Sequence, residues 1–161
     1  MGSAEKLLSN RGLGIKDKKC LYEGVIVPTA LYGAEARGMR TAERRKVNVL
    51  EMKCLRTLVG VSQMDRVWNE EVHRRAGIER ELACRADQRV FRWFGHVERM
   101  DQYHMARRVL MGEVNIRRVR GRPRLGWMDG VKVALGNRGM MVEAVRQCVK
   151  DLKEWRALVH M

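Results

Sequence analysis

Arginine, glycine and proline alternate in one short stretch of the chain, where five arginines occur within eight positions. These arginines are Arg117, Arg118, Arg120, Arg122 and Arg124. Gly121 and Pro123 disfavour a helix here, so the guanidinium groups should extend from an irregular loop. A phosphate that is neutralised by arginine releases condensed counterions, which favours binding. The stretch therefore predicts nucleic-acid binding through phosphate contacts.

The same residues leave three interpretations open. Phosphate neutralisation is assigned to Arg117, Arg118 and Arg120, and groove or phosphate contact to Arg122 and Arg124. The Arg-Gly-Arg-Pro sequence also looks like the core of an AT-hook, whose slim backbone lets arginine enter the minor groove and read A·T pairs. The third interpretation is a solvated loop whose arginines pair with helix carboxylates.

Catalytic chemistry has little support in the sequence. Two-metal sites need carboxylates that converge, whereas the aspartates are isolated and most glutamates stand in arginine-rich helical stretches, typical of solvated helix faces. No serine lies in a Gly-x-Ser-x-Gly turn, and no phosphate-binding glycine loop is present. A cysteine nucleophile paired with a histidine is the remaining alternative. We expect no enzyme, no catalytic residue, no metal site and no cofactor.

The charge of the chain indicates its class of partner. Lysine and arginine total 33 against 19 acidic residues, which gives a net charge of +14. This excess favours RNA or DNA as the partner. A membrane is not expected, because no apolar run approaches the roughly 20 residues of a spanning helix. The first ten residues lack a secretory signal, so we expect an intracellular protein, with nucleus and cytoplasm both open.

The four cysteines add a second argument about the compartment. Cys20, Cys54, Cys84 and Cys148 lie far apart in the chain, without the paired spacing of a zinc site. We therefore expect buried thiols in a reducing compartment rather than disulfide bonds.

Apolar residues recur at helical spacing through most of the chain and predict an all-α fold. We expect a single small domain of about five to seven helices, with the arginine-rich loop before the last two. Three early helices are predicted: one from Lys16 that Pro28 kinks or ends before Gly33, one from a Thr41 cap to Gly60, and one from an Asn69 cap to Gly77. The apolar side of the second should comprise Val47, Leu50, Cys54 and Leu58.

A longer amphipathic helix should follow, with its apolar face running from Leu82 to Met100. Gly95 interrupts it and indicates either close helix packing or a break. Further helices are expected at Met105–Leu110 and from Trp127 to Leu135, then a turn at 136–139 and one last helix through Val142 to Trp155.

Aromatic residues and arginines alternate near the end of the amphipathic helix. Trp93 and Phe94 could stack on bases, but they fall on the apolar stripe, which favours core packing. We expect Trp93, Phe94 and Trp127 to support the core and His96 to be a structural histidine.

Five short motifs resemble, in order and approximate spacing, the region that follows the reverse transcriptase domain in non-LTR retrotransposon polyproteins of animals. They are Val27–Glu35, Asp65–Val72, Arg92–Met100, Gly121–Arg124 and Trp127–Asp129. The resemblance implies a thumb-proximal helical connection at 1–40 and a C-terminal helical region after it. The helix pattern divides that region into a helical core at 41–111, the basic loop at 112–126 and C-terminal helices at 127–161.

The resemblance also implies a role. The longer parent protein would be an RNA-directed DNA polymerase, with its catalytic aspartates and endonuclease upstream, and this segment would hold template RNA or target DNA near it. One alternative is a helical scaffold that packs on the upstream reverse transcriptase domain. The other is a decayed copy without selected function, because Arg37 stands where the family usually has tryptophan.

Overall fold

The computed structural model describes residues 6–10, 12–37, 39–111 and 126–160, without the side chain of Arg37. Its helices, in chain order, are α1 (Ile15–Leu21), a π-helical turn (Tyr22–Ile26), α2 (Val27–Ala30), α3 (Ala34–Arg37), α4 (Thr41–Val59), α5 (Asn69–Ala76), α6 (Leu82–Glu98), α7 (Met105–Leu110), α8 (Trp127–Gly136), α9 (Val142–Cys148) and α10 (Leu152–His160). No strand occurs among these residues. The all-α prediction is confirmed.

The first helical segment changes type before Pro28. Proline has no N–H to donate to the preceding turn, and the π-helical turn Tyr22–Ile26 lies directly before α2, in which Pro28 is near the first position. The irregularity that was expected at Pro28 is therefore a change in helical hydrogen bonding. Gly33, at φ 68°, follows the segment, as predicted.

The start of α5 and the buried side of α4 differ from the predictions. Trp68, not Asn69, is the N-cap of α5, and the Asn69 side chain instead accepts a hydrogen bond from Arg56 at 3.0 Å. In α4 the buried residues are Glu51, Leu55 and Leu58. Leu58 of the predicted stripe is therefore confirmed, whereas Val47, Leu50 and Cys54 are only half-buried. Burial of Glu51 depends on partners elsewhere in the chain, which periodicity does not reveal.

The described residues pack into two compact units, the first from residues 1–32 and 42–85 and the second from residues 33–41 and 86–161. The division falls within α6. Buried side chains of the first unit include Tyr22, Ile26, Leu31, Leu55, Leu58, Val72, Ile78 and Leu82. The predicted apolar stripe of α6 is confirmed for Leu82, Ala86, Val90, Phe94 and Val97, all fully buried.

The core of the second unit is built around aromatic rings. Phe94 lies 6.2 Å from Trp127 and 6.1 Å from Trp155 between ring centroids. Trp93 is partly buried and packs against this cluster. The predicted supporting role is confirmed for Phe94 and Trp127, whereas Trp93 keeps one side outside the core.

Gly95 lies within an unbroken α6. A Cβ atom built there would stand 2.0 Å from Nε1 of Trp155. Of the two interpretations of this glycine, close packing is correct.

The predicted last helix is wrong as a single element, because α9 ends at Cys148 and α10 begins at Leu152. The Asp151 carboxylate accepts the backbone N–H of Lys153 at 2.7 Å and that of Glu154 at 3.3 Å. These N–H groups have no helical partner at a helix start, so the aspartate stabilises a new helix. Together with the divided segment at residues 15–30, this break gives more helices than the five to seven expected. The turn at 136–139 is confirmed, with Gly139 at φ 67°.

Two further observations concern the described residues. None of their helices is long and apolar enough to cross a membrane. Cys20 is exposed and the other three cysteines are half-buried, so the expected burial of the thiols is wrong; none of the four forms a disulfide bond.

Candidate nucleic-acid interface

The arginines of the predicted loop, Arg117, Arg118, Arg120, Arg122 and Arg124, lie outside the described residues. Met111 lines a cavity of the second unit, and that cavity is basic.

The basic pocket is a cavity of about 560 Å³ with four cationic side chains on its wall, Arg99, Arg107, Arg146 and Lys150. The other lining residues are Glu98, Met111, Gln147 and Val149. Arg99 follows α6, Arg107 belongs to α7, Arg146 belongs to α9 and Lys150 follows α9. Two helices, α7 and α9, and the residues that follow α6 and α9 thus contribute to one concentration of positive charge.

Glu98 is the acidic residue of the basic pocket. Its carboxylate accepts a hydrogen bond from Nε of Arg146 at 2.8 Å and forms an ion pair with Nη2 of Arg107 at 3.6 Å. The Glu98 side chain is 12% exposed, whereas those of Arg107 and Arg146 are 26% and 52% exposed. The buried carboxylate therefore holds two guanidinium groups in place while part of each stays open to solvent.

Backbone carbonyl groups hold two of the arginines in place. Arg99 donates through Nη1 to the Val149 carbonyl at 3.0 Å, and Arg107 donates through Nη1 to the Met100 carbonyl at 2.7 Å. A carbonyl orients a guanidinium group without neutralising its charge. The basic pocket accordingly keeps a clear excess of positive charge, with four cations against one carboxylate.

This arrangement suits an anion with several oxygen acceptors. Guanidinium groups present N–H donors in a planar fork that matches phosphate, and lysine adds a point charge. The sequence analysis missed the basic pocket, because its four cations come from separated stretches and each looks like an ordinary solvated side chain. The net charge of +14 was the only signal.

The chain is similar to a transposon-derived protein. A Caenorhabditis elegans protein, whose name describes it as transposon-derived and uncharacterized, is 28% identical over 157 residues. The match covers 90% of this chain and 56% of the relative, so the chain spans little more than half the relative's length. No protein-family model and no solved structure matches the chain.

Residues of three of the motifs that resemble the retrotransposon region lie close together within the second unit. The indole N–H of Trp127 donates to the backbone carbonyl of Glu35 at 2.8 Å. Glu35 also lines a groove with Trp93. Residues from the motifs Val27–Glu35, Arg92–Met100 and Trp127–Asp129 are therefore neighbours, although they are far apart in the sequence.

The motif Asp65–Val72 forms a hydrogen-bonded turn and the start of α5 in the first unit. Asp65 accepts the backbone N–H of Ser62 at 2.6 Å. Arg56 donates to the carbonyl of Val67 at 2.8 Å and to the Asn69 side chain. This motif therefore fixes how the chain passes from α4 to α5.

Two carboxylates depart from the solvated helix faces that were predicted. Glu51 and Asp87 are each only 2% exposed. Glu51 accepts the Tyr22 hydroxyl at 3.1 Å and the backbone N–H of Leu82 at 3.0 Å. Burial raises the pKa of Glu51 above its ordinary value, and burial together with the neighbouring Glu51 charge raises the pKa of Tyr22. The Glu51 contacts show a residue that holds the start of α6, which is a structural role.

The remaining polar candidates do not assemble a metal site in the part of the chain that the structure describes, since no three His, Cys, Asp or Glu side chains there converge as metal ligands. His96 is exposed and its ring lies 5.4 Å from that of Trp93. It makes an aromatic contact at the surface rather than one within the core.

Proposed function

We propose that this chain is a non-catalytic nucleic-acid-binding segment of mobile-element origin, which holds RNA or DNA by phosphate contacts at the basic pocket. The observation that carries the proposal is the excess of cations there, with Arg99, Arg107, Arg146 and Lys150 against Glu98. Arg107 and Arg146 are held in position by Glu98 before any ligand arrives, so less side-chain entropy is lost on binding. The loop arginines 117 to 124 extend the phosphate contacts in this proposal.

The origin of the segment is the second part of the proposal. The similar C. elegans protein is named as transposon-derived, and the motif order resembles the region after the reverse transcriptase domain of non-LTR elements. We therefore infer a longer parent protein with an RNA-directed DNA polymerase upstream of this segment. That polymerase domain is a proposed second partner of the chain.

A salt titration of fluorescence anisotropy tests the phosphate contacts. The intact chain is compared with a pocket variant, Arg146→Gln with Lys150→Gln, on duplex DNA and on structured RNA. Each phosphate contact on duplex DNA contributes about 0.9 to the slope of log K against log salt, so the pocket variant should reduce that slope by about 2. A loop variant with all five arginines changed to glutamine should reduce it by about 4 to 5.

The matched control is Arg45→Gln with Lys46→Gln, which removes the same charges from exposed positions on α4. If the control lowers the slope as much as the pocket variant, net charge and not the pocket determines binding. If the intact chain binds neither nucleic acid at low salt, the proposed function is wrong. The scaffold alternative, in which the charge offsets an acidic neighbour, then becomes the better hypothesis.

A further inference from the structure

The second face of α6 combines aromatic and cationic side chains. Arg89, Arg92, Trp93 and His96 follow one another at spacings of three, one and three residues, so they lie along one side of the helix, and Trp93 is the member next to the fully buried Val97. Arg92 and His96 are exposed, whereas Arg89 and Trp93 are partly buried. This face is neither core nor an ordinary charged helix surface.

Trp93 is held in place although its ring is not enclosed. One side packs against the core of the second unit, and its ring lies 5.4 Å from that of His96 with 44° between the planes. Its indole N–H has no hydrogen-bond partner among the described residues. A restrained aromatic ring at a surface gives contact area to a ligand without a large loss of side-chain entropy.

Trp93 also forms the wall of a groove. The cavity measures about 370 Å³ and is lined by Glu35, Arg89, Arg92 and Trp93. Two arginines against one carboxylate give this Trp93 groove a positive balance, which favours an anionic ligand with an aromatic group. A nucleotide has both properties, since its base presents a flat π-face and its phosphate a negative charge.

The Trp93 groove and the basic pocket share one helix. Trp93 precedes Arg99 by six residues, which corresponds to about 9 Å along the axis of an α-helix. The same six residues turn by about 240° around that axis, so a strand that contacts both sites has to follow the surface of the helix. Bases in a duplex are stacked on one another and do not offer a free face, so the groove favours an unpaired base.

We propose that Trp93 is a stacking platform for an unpaired base of single-stranded nucleic acid, with Arg92 and Arg89 beside it for the adjoining phosphates. This inference rests on the proposed function and adds a preference for single strands. Stacking on an aromatic ring tolerates any base, so the site should not select sequence.

The test compares two strands that differ only in their bases: a single-stranded oligothymidine and an abasic strand of the same length and phosphate number. The intact chain should bind the oligothymidine about ten-fold more tightly, the size of effect that stacking of one base produces. Trp93→Leu, which keeps an apolar side chain against the core, should lose this difference while binding the abasic strand as before. Trp93→Phe keeps a ring and should retain most of the difference.

The pocket variant separates this inference from the proposed function. Arg146→Gln with Lys150→Gln should weaken binding of both strands and leave their ratio unchanged. Equal binding of the two strands by the intact chain, or a ratio that Trp93→Leu does not change, overturns the stacking platform alone. Absence of binding to either strand, together with absence of binding to duplex DNA and structured RNA, overturns the proposed function as well. Unfolding midpoints of the Trp93 variants, measured by circular dichroism, confirm that the fold is kept.

Discussion

Gly95 is the position at which α6 and the Trp155 ring approach most closely. An added Cβ would stand 2.0 Å from Nε1 and 2.6 Å from Cε2 of Trp155, far inside contact distance. The Trp155 ring is enclosed by the core and contacts Phe91 and Phe94, so it has little room to move. A side chain as small as a methyl group is thus excluded at residue 95.

We predict that Gly95→Ala lowers the free energy of unfolding by about 1 to 3 kcal/mol, the usual range for overpacking a core, even though alanine favours helix. Urea denaturation followed by circular dichroism measures the loss. Gly136→Ala is the control, because nothing lies within 4 Å of its added Cβ, and it should be neutral or slightly stabilising. Equal stability of Gly95→Ala and the parent chain would contradict the packing of Trp155.

Glu51 gives a second prediction at the residue scale, concerning pH. Burial raises the pKa of Glu51 above its ordinary value of 4.5, although the Leu82 N–H and the Tyr22 hydroxyl act in the opposite direction. The folded chain therefore holds this proton more tightly than the unfolded chain does. The associated stability is fully present below about pH 4.5 and is lost as pH rises through the raised pKa.

Glu51→Gln keeps a neutral side chain at every pH. We expect the difference in unfolding free energy, variant minus parent, to increase in favour of the variant as pH rises from about 4.5 towards neutrality. Denaturant titrations at several pH values provide the measurement. A difference that stays constant over this range would show that Glu51 titrates alike in the folded and unfolded chain.

At the scale of the element, Asp151 decides that α9 and α10 are separate helices. Its carboxylate accepts two backbone N–H groups in the first turn of α10. That helix carries the buried Trp155 and Val159. The start of α10 therefore influences how the core of the second unit is closed.

We predict that Asp151→Ala lowers the free energy of unfolding by about 1 kcal/mol, the typical loss of an N-terminal cap. Asp151→Asn keeps an oxygen acceptor and should lose only a small part of this free energy. Thermal or urea unfolding of the three chains provides the comparison. If Asp151→Asn is as destabilised as Asp151→Ala, the effect comes from charge and not from the two hydrogen bonds.

At the scale of the whole molecule, the described residues have extensive buried cores. Tyr22, Leu55 and Leu58 are among the buried residues of the first unit, and Phe91 and Trp155 among those of the second. A chain that had lost the ability to fold would not be expected to bury such large side chains together. The charge of +14 acts against this by self-repulsion.

We expect a cooperative thermal unfolding transition, seen both in far-ultraviolet circular dichroism and in tryptophan fluorescence, with a midpoint that rises with moderate salt as repulsion is screened. A gradual loss of helix without a transition would favour a decayed copy that no longer folds. Because the described residues form two compact units, two successive cooperative transitions would also indicate a folded chain.

The sequence by itself determined the helical class, the approximate helix positions and the basic character. Apolar residues at helical spacing identified the buried face of α6, and glycines such as Gly77 marked helix ends, because both effects act within a few residues. Asp151, with Glu154 three residues later, was also a usable helix-start signal, although the apolar spacing around it predicted one continuous helix.

Only the tertiary structure decided which charged groups are buried and which act together. Glu51 is buried because Tyr22 and Leu82 supply its hydrogen bonds from distant parts of the chain. The basic pocket exists because α7, α9 and the residues that follow α6 and α9 bring their cations to one cavity. Such contacts join residues that are far apart in the sequence, and helical periodicity, which repeats every 3.6 residues, contains no information about distant partners.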